Sequence, residues 1–129
     1  MKPKHYFKKL NLILISVVVL TLSSACHKEG IGGKSNVDGK VMHHEKPIGN
    51  AIVYIKYGVT EFPGTDVANY DDHTSCDANA KYEFTNLRKG DYYLYAVGLD
   101  DEILSQVSGG IAIKLKYNRD IGTDVPVTE

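Results

Sequence analysis

The run Ile111-Ala112-Ile113-Lys114-Leu115-Lys116-Tyr117 sets Ile111, Ile113, Leu115 and Tyr117 on one side of an extended chain and Ala112, Lys114 and Lys116 on the other. Successive side chains of a strand point to opposite faces, so this alternation describes a strand with one face in a core and one in water. Gly109-Gly110 stands before it as a turn signal. The same period recurs on moving outward. In residues 51–57, Ala51, Val53, Ile55 and Tyr57 share one face, and Ile52, Tyr54 and Lys56 share the other. Tyr82 and Phe84 share a face in residues 81–84, and Tyr92, Leu94 and Ala96 do so in residues 92–97. Further strands are expected at residues 37–43 and 123–128, the last confined to a sheet edge or bulge because Pro126 has no N–H to donate. Pro47-Ile48-Gly49-Asn50 and Arg88-Lys89-Gly90-Asp91 supply turns. No stretch after residue 26 sustains a helical period. About seven short strands in about 100 residues predict an all-β, seven-stranded antiparallel β-sandwich, with a small open β-barrel as the alternative.

The first residues have a different logic. Lys2, Lys4, Lys8 and Lys9 precede an apolar run over residues 10–22, then Ser23-Ser24-Ala25 and Cys26. A basic segment, a short apolar segment and small residues are the marks of an export signal, and the run is too short to span a bilayer comfortably. Leu22-Ser23-Ser24-Ala25-Cys26 resembles the lipobox of bacterial lipoproteins, in which a thiol is alkylated by a diacylglyceryl group before cleavage. The large aliphatic residue usual three places before the cysteine is Ser23 here, a looser form that resembles boxes of Bacteroidetes lipoproteins. The resemblance implies a signal peptide over residues 1–25, lipidation at Cys26, and a chain held in the cell envelope, at the outer membrane, by palmitate-type acyl chains. Residues 26–35, with three glycines, are expected to form a flexible tether of about 15–20 Å average reach. The sandwich is then expected over residues 36–129.

Removing residues 1–25 takes four lysines and no acid, leaving 11 basic and 16 acidic residues and a formal charge of −5. That balance argues against nucleic acid, which requires a basic stripe, and gives by itself no reason for the domain to lie on anionic lipid. There are two cysteines in the chain. With Cys26 acylated, Cys76 has no partner, so the fold must stand on its core, and Cys76 reads as a buried small hydrophobe.

Four segments in order carry a further resemblance: Val37-x-Gly39-x-Val41; Pro47-Ile48-x-x-Ala51-x-Val53-x-Ile55; Asp77-x-x-x-x-Tyr82-x-Phe84-x-x-Leu87; and Gly90-x-Tyr92-x-Leu94-x-Ala96. Together they resemble the carboxypeptidase regulatory-like domains, which implies a transthyretin-like (prealbumin-like) sandwich without catalytic residues of its own. Such domains accompany peptidases and outer-membrane transporters. Where the pattern has Asp-x-x-Gly, this chain has Asp77-Ala78-Asn79-Ala80, and Asn79 is expected to take the left-handed backbone.

Two candidate sites follow. Nine tyrosines and no tryptophan are the compositional bias, and Tyr54, Tyr93 and Tyr95 are expected on the outer face of the sheet, where a protein or glycan partner would be met. The acidic segment 66–77 offers Asp71, Asp72 and Asp77, with Asn79, as oxygen ligands for calcium, or His73 with Cys76, joined by His43 or His44, for a transition metal such as zinc. Neither the EF-hand spacing nor a complete zinc set is present, and no cofactor is expected. The reading is therefore a non-catalytic binding, spacer or accessory module, not an enzyme, with metal binding as the alternative. Mass spectrometry of the mature chain is expected to find acylated Cys26 at its N-terminus, and Cys26→Ser is expected to leave the chain out of the membrane fraction. An unmodified terminus or a cut elsewhere would overturn this.

Overall fold

The structure is a computed structural model and describes residues 28–129. The export signal and Cys26 lie outside the described residues. The chain forms β1 (Ile31–His43), β2 (Lys46–Pro47), β3 (Ile52–Tyr57), a 3-10 turn (Val67–Asn69), β4 (Asp72–Ser75), β5 (Lys81–Leu87), β6 (Gly90–Asp100), β7 (Ser105–Leu115), β8 (Ile121–Gly122) and β9 (Val125–Val127). Two sheets pack face to face. One is built around β1, with β2, β5, β8 and β9 all paired to it, and the other has the order β4-β3-β6-β7. The expected β-sandwich is what forms, and the barrel is excluded because the sheets do not close on each other.

The period-2 residues meet between the sheets. Val37, Val41, Tyr82, Phe84, Val125 and Val127 come from the first sheet, and Val53, Ile55, Tyr92, Leu94, Ala96, Val107, Ile113 and Leu115 from the second. Ile111 packs at the margin, and Tyr117 departs from the expected pattern: it lies past the end of β7 and is exposed. Two buried tyrosines find partners for their hydroxyls, as burial requires. Tyr82 donates to the Thr123 carbonyl at 2.6 Å. Tyr92 donates to the Arg88 carbonyl at 2.6 Å and accepts from the Gly30 N–H at 2.8 Å.

That last bond corrects the expected tether. The strand begins at Ile31 rather than near residue 37, with Ile31 paired to Leu87, and the Arg88 N–H donates to the Gly30 carbonyl at 2.8 Å. Composition misleads here because the glycines serve close approach rather than flexibility. A Cβ on Gly33 would sit 2.0 Å from the Leu87 carbonyl oxygen. The register slips between Ser35 and Val37, and fully buried Ser35 stabilises the irregularity, its hydroxyl donating to the Lys116 carbonyl at 2.7 Å. The folded unit thus starts at about residue 30, not 36.

Other departures have similar local causes. The sheets are not wholly antiparallel: β8 and β9 both lie parallel to β1. Gly39 permits the close seam, since a Cβ there would meet the Thr123 carbonyl oxygen at 1.8 Å. Among the described residues there are nine strands rather than about seven; β2 and β8 have two residues each, too short to show a period. The strand β4 falls within the stretch expected to be a loop; its residues are polar, and it pairs as a sheet edge. At the turn before β5 it is Ala80, not Asn79, that takes positive φ, at 63°. Ala80 stands where the resembled pattern has glycine, and Asp77 Oδ1 holds the turn by accepting from the N–H groups of Asn79 and Lys81.

At the end of the sandwich remote from Ile31, the sheets are joined by charge. Asp100, at the end of β6, is 2% exposed. Its Oδ2 lies 2.8 Å from His43 Nδ1 of β1, its Oδ1 accepts from Lys46 Nζ of β2 at 2.6 Å, and the Glu102 N–H adds a bond of 3.0 Å. His43 first and Lys46 second hold the Asp100 carboxyl well below the usual carboxylate range. A carboxyl with a depressed folded pKa contributes stability above its unfolded pKa, near 4, and loses it progressively as pH falls below that. Asp100→Asn is expected to lower the urea midpoint at pH 7, and the gap from the parent is expected to narrow below about pH 4. A gap independent of pH would show that the ionised form of Asp100 contributes nothing.

Candidate functional site

The outer face of the second sheet is aromatic because of its register. Tyr54 stands opposite His73 on one side and Tyr95 on the other, and Lys56 stands opposite Tyr93. Inward residues of the same strands fill the core, so these side chains necessarily point away from it. They do not form a bare surface. The connection from β3 to β4 folds back over them, with its 3-10 turn at the rim. Tyr70 stacks on Tyr95 with centroids 5.6 Å apart and planes 18° apart, and Phe62 lies 5.4 Å from Tyr95 and 5.8 Å from Tyr93. Tyr54 touches Tyr70, His73 and Tyr95 at 5.8, 5.7 and 6.4 Å.

The expectation for the three tyrosines is met in direction and corrected in exposure. Tyr54, Tyr93 and Tyr95 are together on the outer face, but Tyr95 is only 4% exposed, beneath Tyr70 and Phe62. It is the floor of the cluster. The accessible surfaces belong to Phe62, which is 50% exposed, and to the partly exposed Tyr54, Tyr70 and Tyr93. Phe62 and Tyr70 were missed because segment 58–71 has no period and its acids dominate its reading. The signal was the pair of large aromatic residues themselves, which a loop must lay against something.

The loop is held by its own polar groups. Tyr70 donates its hydroxyl to the Gly64 carbonyl at 2.9 Å, and burial pushes its pKa up to about 12, with Tyr95 and Tyr93 adding smaller effects. Asp66 accepts from the Ala68 N–H at 3.0 Å. Asp71 accepts from the Tyr57 N–H at 2.7 Å and pairs with Lys56 at 3.4 Å. Beside this loop Tyr54, Val67, Tyr70, Asp71, Asp72 and His73 line a shallow concavity of about 550 Å³.

The proposed metal ligands are not assembled into one site. Asp71 and Asp72 stand at the start of β4 and Asp77 beyond its end, on the order of 15 Å apart along an extended chain. Asp77 closes the turn before β5, and among the described residues no group of three metal-capable side chains converges. His73 instead joins the aromatic cluster. Cys76 is buried in the core, and burial first, then Asp77, pushes its thiol up to about 11, so the nucleophilic thiolate is scarce at neutral pH.

A larger concavity, about 850 Å³, lies between the sheets' edges, lined by Asp38, Lys40, Asp77, Lys81, Glu83 and Asp124 among others. Two of its acids are already engaged with backbone, Asp77 in its turn and Asp124 with the Lys40 N–H at 2.9 Å. It is a seam of the sandwich, whereas the aromatic cluster gathers side chains that no core requires.

No family model matches the chain, and no curated protein does. Among solved structures, a Pseudomonas aeruginosa protein proposed to bind carbohydrate aligns with a TM-score of 0.52, covering 75% of this chain and 90% of that one at 11% identity. At that identity the likeness concerns the fold, and it agrees with the two-sheet sandwich described above.

Alanine substitutions are expected to separate floor from rim. Tyr95→Ala should destabilise the fold by about 3 kcal/mol, as deletion of a buried aromatic ring does. Phe62→Ala, half exposed, should lower stability by less than about 1 kcal/mol. Urea denaturation of both variants checks this, and equal losses would refute the assignment of Tyr95 as the floor.

Proposed function

We propose that this chain is a cell-envelope lipoprotein, anchored at Cys26, whose sandwich is a non-catalytic module that binds carbohydrate at the rim of the aromatic cluster. The observation that carries the reading is the juxtaposition, in one concavity, of the Tyr54 and Tyr70 rings with His73 and the exposed carboxylate of Asp72, beside Asp71 held by the Tyr57 N–H and Lys56. A sugar ring has an apolar C–H face and a rim of hydroxyls. Aromatic faces suit the first, and carboxylate and imidazole groups suit the second. The exposed Phe62 extends the platform toward Tyr93. The site is shallow and open, which favours an extended glycan lying across it over a small molecule enclosed within it.

Other observations support the reading. The solved structure that shares the fold is of a protein proposed to bind carbohydrate. The resemblance to carboxypeptidase regulatory-like domains fits a module that carries no chemistry of its own, and we extend that assignment to this chain on its Val37–Ala96 pattern. A module anchored through a lipobox of the kind Leu22–Cys26 resembles would meet envelope and extracellular glycans.

Affinity electrophoresis in gels cast with soluble β-glucan, xylan, mannan or pectin, together with pelleting on insoluble peptidoglycan, tests the proposal. Retention by at least one of these is expected. The double variant Phe62→Ala/Tyr54→Ala should weaken it about tenfold, the loss anticipated for two stacking contacts. Absence of retention on every matrix, or retention that the double variant leaves unchanged, would refute the carbohydrate reading.

A further inference from the structure

The formal charge of −5 after residue 25 is an average that conceals a separation. At the end of the sandwich where the chain enters, Lys28, Lys89, Lys114 and Lys116 line one concavity of about 340 Å³ with Asp91 and Tyr117. Asp91 is the one carboxylate among those lining residues, and it lies 3.7 Å from Lys114. Among the described residues no carboxylate is within ion-pairing distance of Lys28, Lys89 or Lys116. At the opposite end Glu45, Asp101, Glu102 and Glu129 are exposed around buried Asp100. Glu29 also lies at the entering end, against Gly90 and Gly58, and Asp71 and Asp72 lie near Tyr57, so the lysines form a local basic patch there, while the opposite end carries the acidic cluster.

Two further features lie beside that patch. Ile31 is 63% exposed and Tyr117 67% exposed, an aliphatic residue and an amphipathic ring, the types that settle at a bilayer interface. The path back to Cys26 is also short. Gly30 is fixed by Tyr92 and Arg88, so the residues from Cys26 to Gly30 span at most about 14 Å when fully extended. Within that distance of a lipid anchor, the phosphate groups of the bilayer are in reach of the lysines.

We propose that this end of the domain docks on anionic lipid headgroups, the four lysines meeting phosphate while Ile31 and Tyr117 enter the interface. The inference rests on the anchor at Cys26 but not on what the aromatic cluster binds. Docking would fix the long axis of the sandwich upright and hold the acidic cluster away from the similarly charged membrane.

The test uses the full lipid-bearing chain, reconstituted into vesicles of phosphatidylcholine alone or with about 30 mol% phosphatidylglycerol. Lysines are labelled with an amine-reactive reagent and quantified by mass spectrometry. With phosphatidylglycerol, labelling of Lys28, Lys89, Lys114 and Lys116 is expected to slow at least about threefold, while Lys81, at the start of β5, is unchanged. Raising the salt to about 0.5 M should abolish the protection. Lys89→Glu/Lys116→Glu should lose protection at Lys28 and Lys114 with an unaltered urea midpoint. A chain that fails to float even with phosphatidylcholine vesicles overturns the anchor and the docking with it. A chain that floats with both but is labelled alike in both overturns the docking alone. Equal protection by millimolar inorganic phosphate without anionic lipid overturns it too, because the concavity would then be reading soluble anions.

Discussion

The register between β3 and β6, which sets Tyr54 opposite Tyr95, decides both faces of the second sheet. With that pairing, Val53 and Ile55 meet Leu94 and Ala96 in the core, and the tyrosines are turned outward together. A slip of one residue would expose the aliphatic residues and bury the tyrosines, leaving their hydroxyls without water or partner. The hydrophobic layer thus specifies the candidate site without touching it. The site is the reverse side of a pattern that folding itself enforces.

A second constraint operates at the far end. Asp100, His43 and Lys46 come from different strands, and Asp100 is removed from water. A buried carboxylate is tolerated only when its charge and lone pairs are met, so these strands must arrive in one arrangement for the group to be satisfied. At the near end Tyr92 does the corresponding job with neutral bonds, joining the entry of β1 to the turn between β5 and β6. The layer of aliphatic side chains is closed at each end by a polar device that is particular about geometry.

Most of the sandwich was legible in the sequence, because Val, Ile, Leu and Tyr at every second position of the central strands leave one way to face a core. What was illegible was short, polar or glycine-rich. The strand β4 shows no alternation of apolar residues, since an edge strand of Asp, His, Thr and Ser is read by its backbone pairing alone. The Ile31-Gly32-Gly33 segment looks like a linker until the Leu87 carbonyl is seen against Gly33. The outward direction of Tyr54, Tyr93 and Tyr95 followed from the period, but the covering of Tyr95 by Phe62 and Tyr70 is a contact between segments far apart in the chain, which no local pattern encodes. Net charge was likewise uninformative about a lysine patch and an acidic cluster at opposite ends of the sandwich.

The covering of the aromatic sheet by one connection has an evolutionary consequence. Segment 58–71 leaves the sheet at the end of β3 and returns at the start of β4, and Phe62 and Tyr70 rest on the outer tyrosines rather than among the buried core residues. Selection can therefore rewrite this segment, in length and in composition, without repacking the interior. A gene family built on this sandwich would be expected to diversify there first, with its framework unchanged while its loops explore new surfaces.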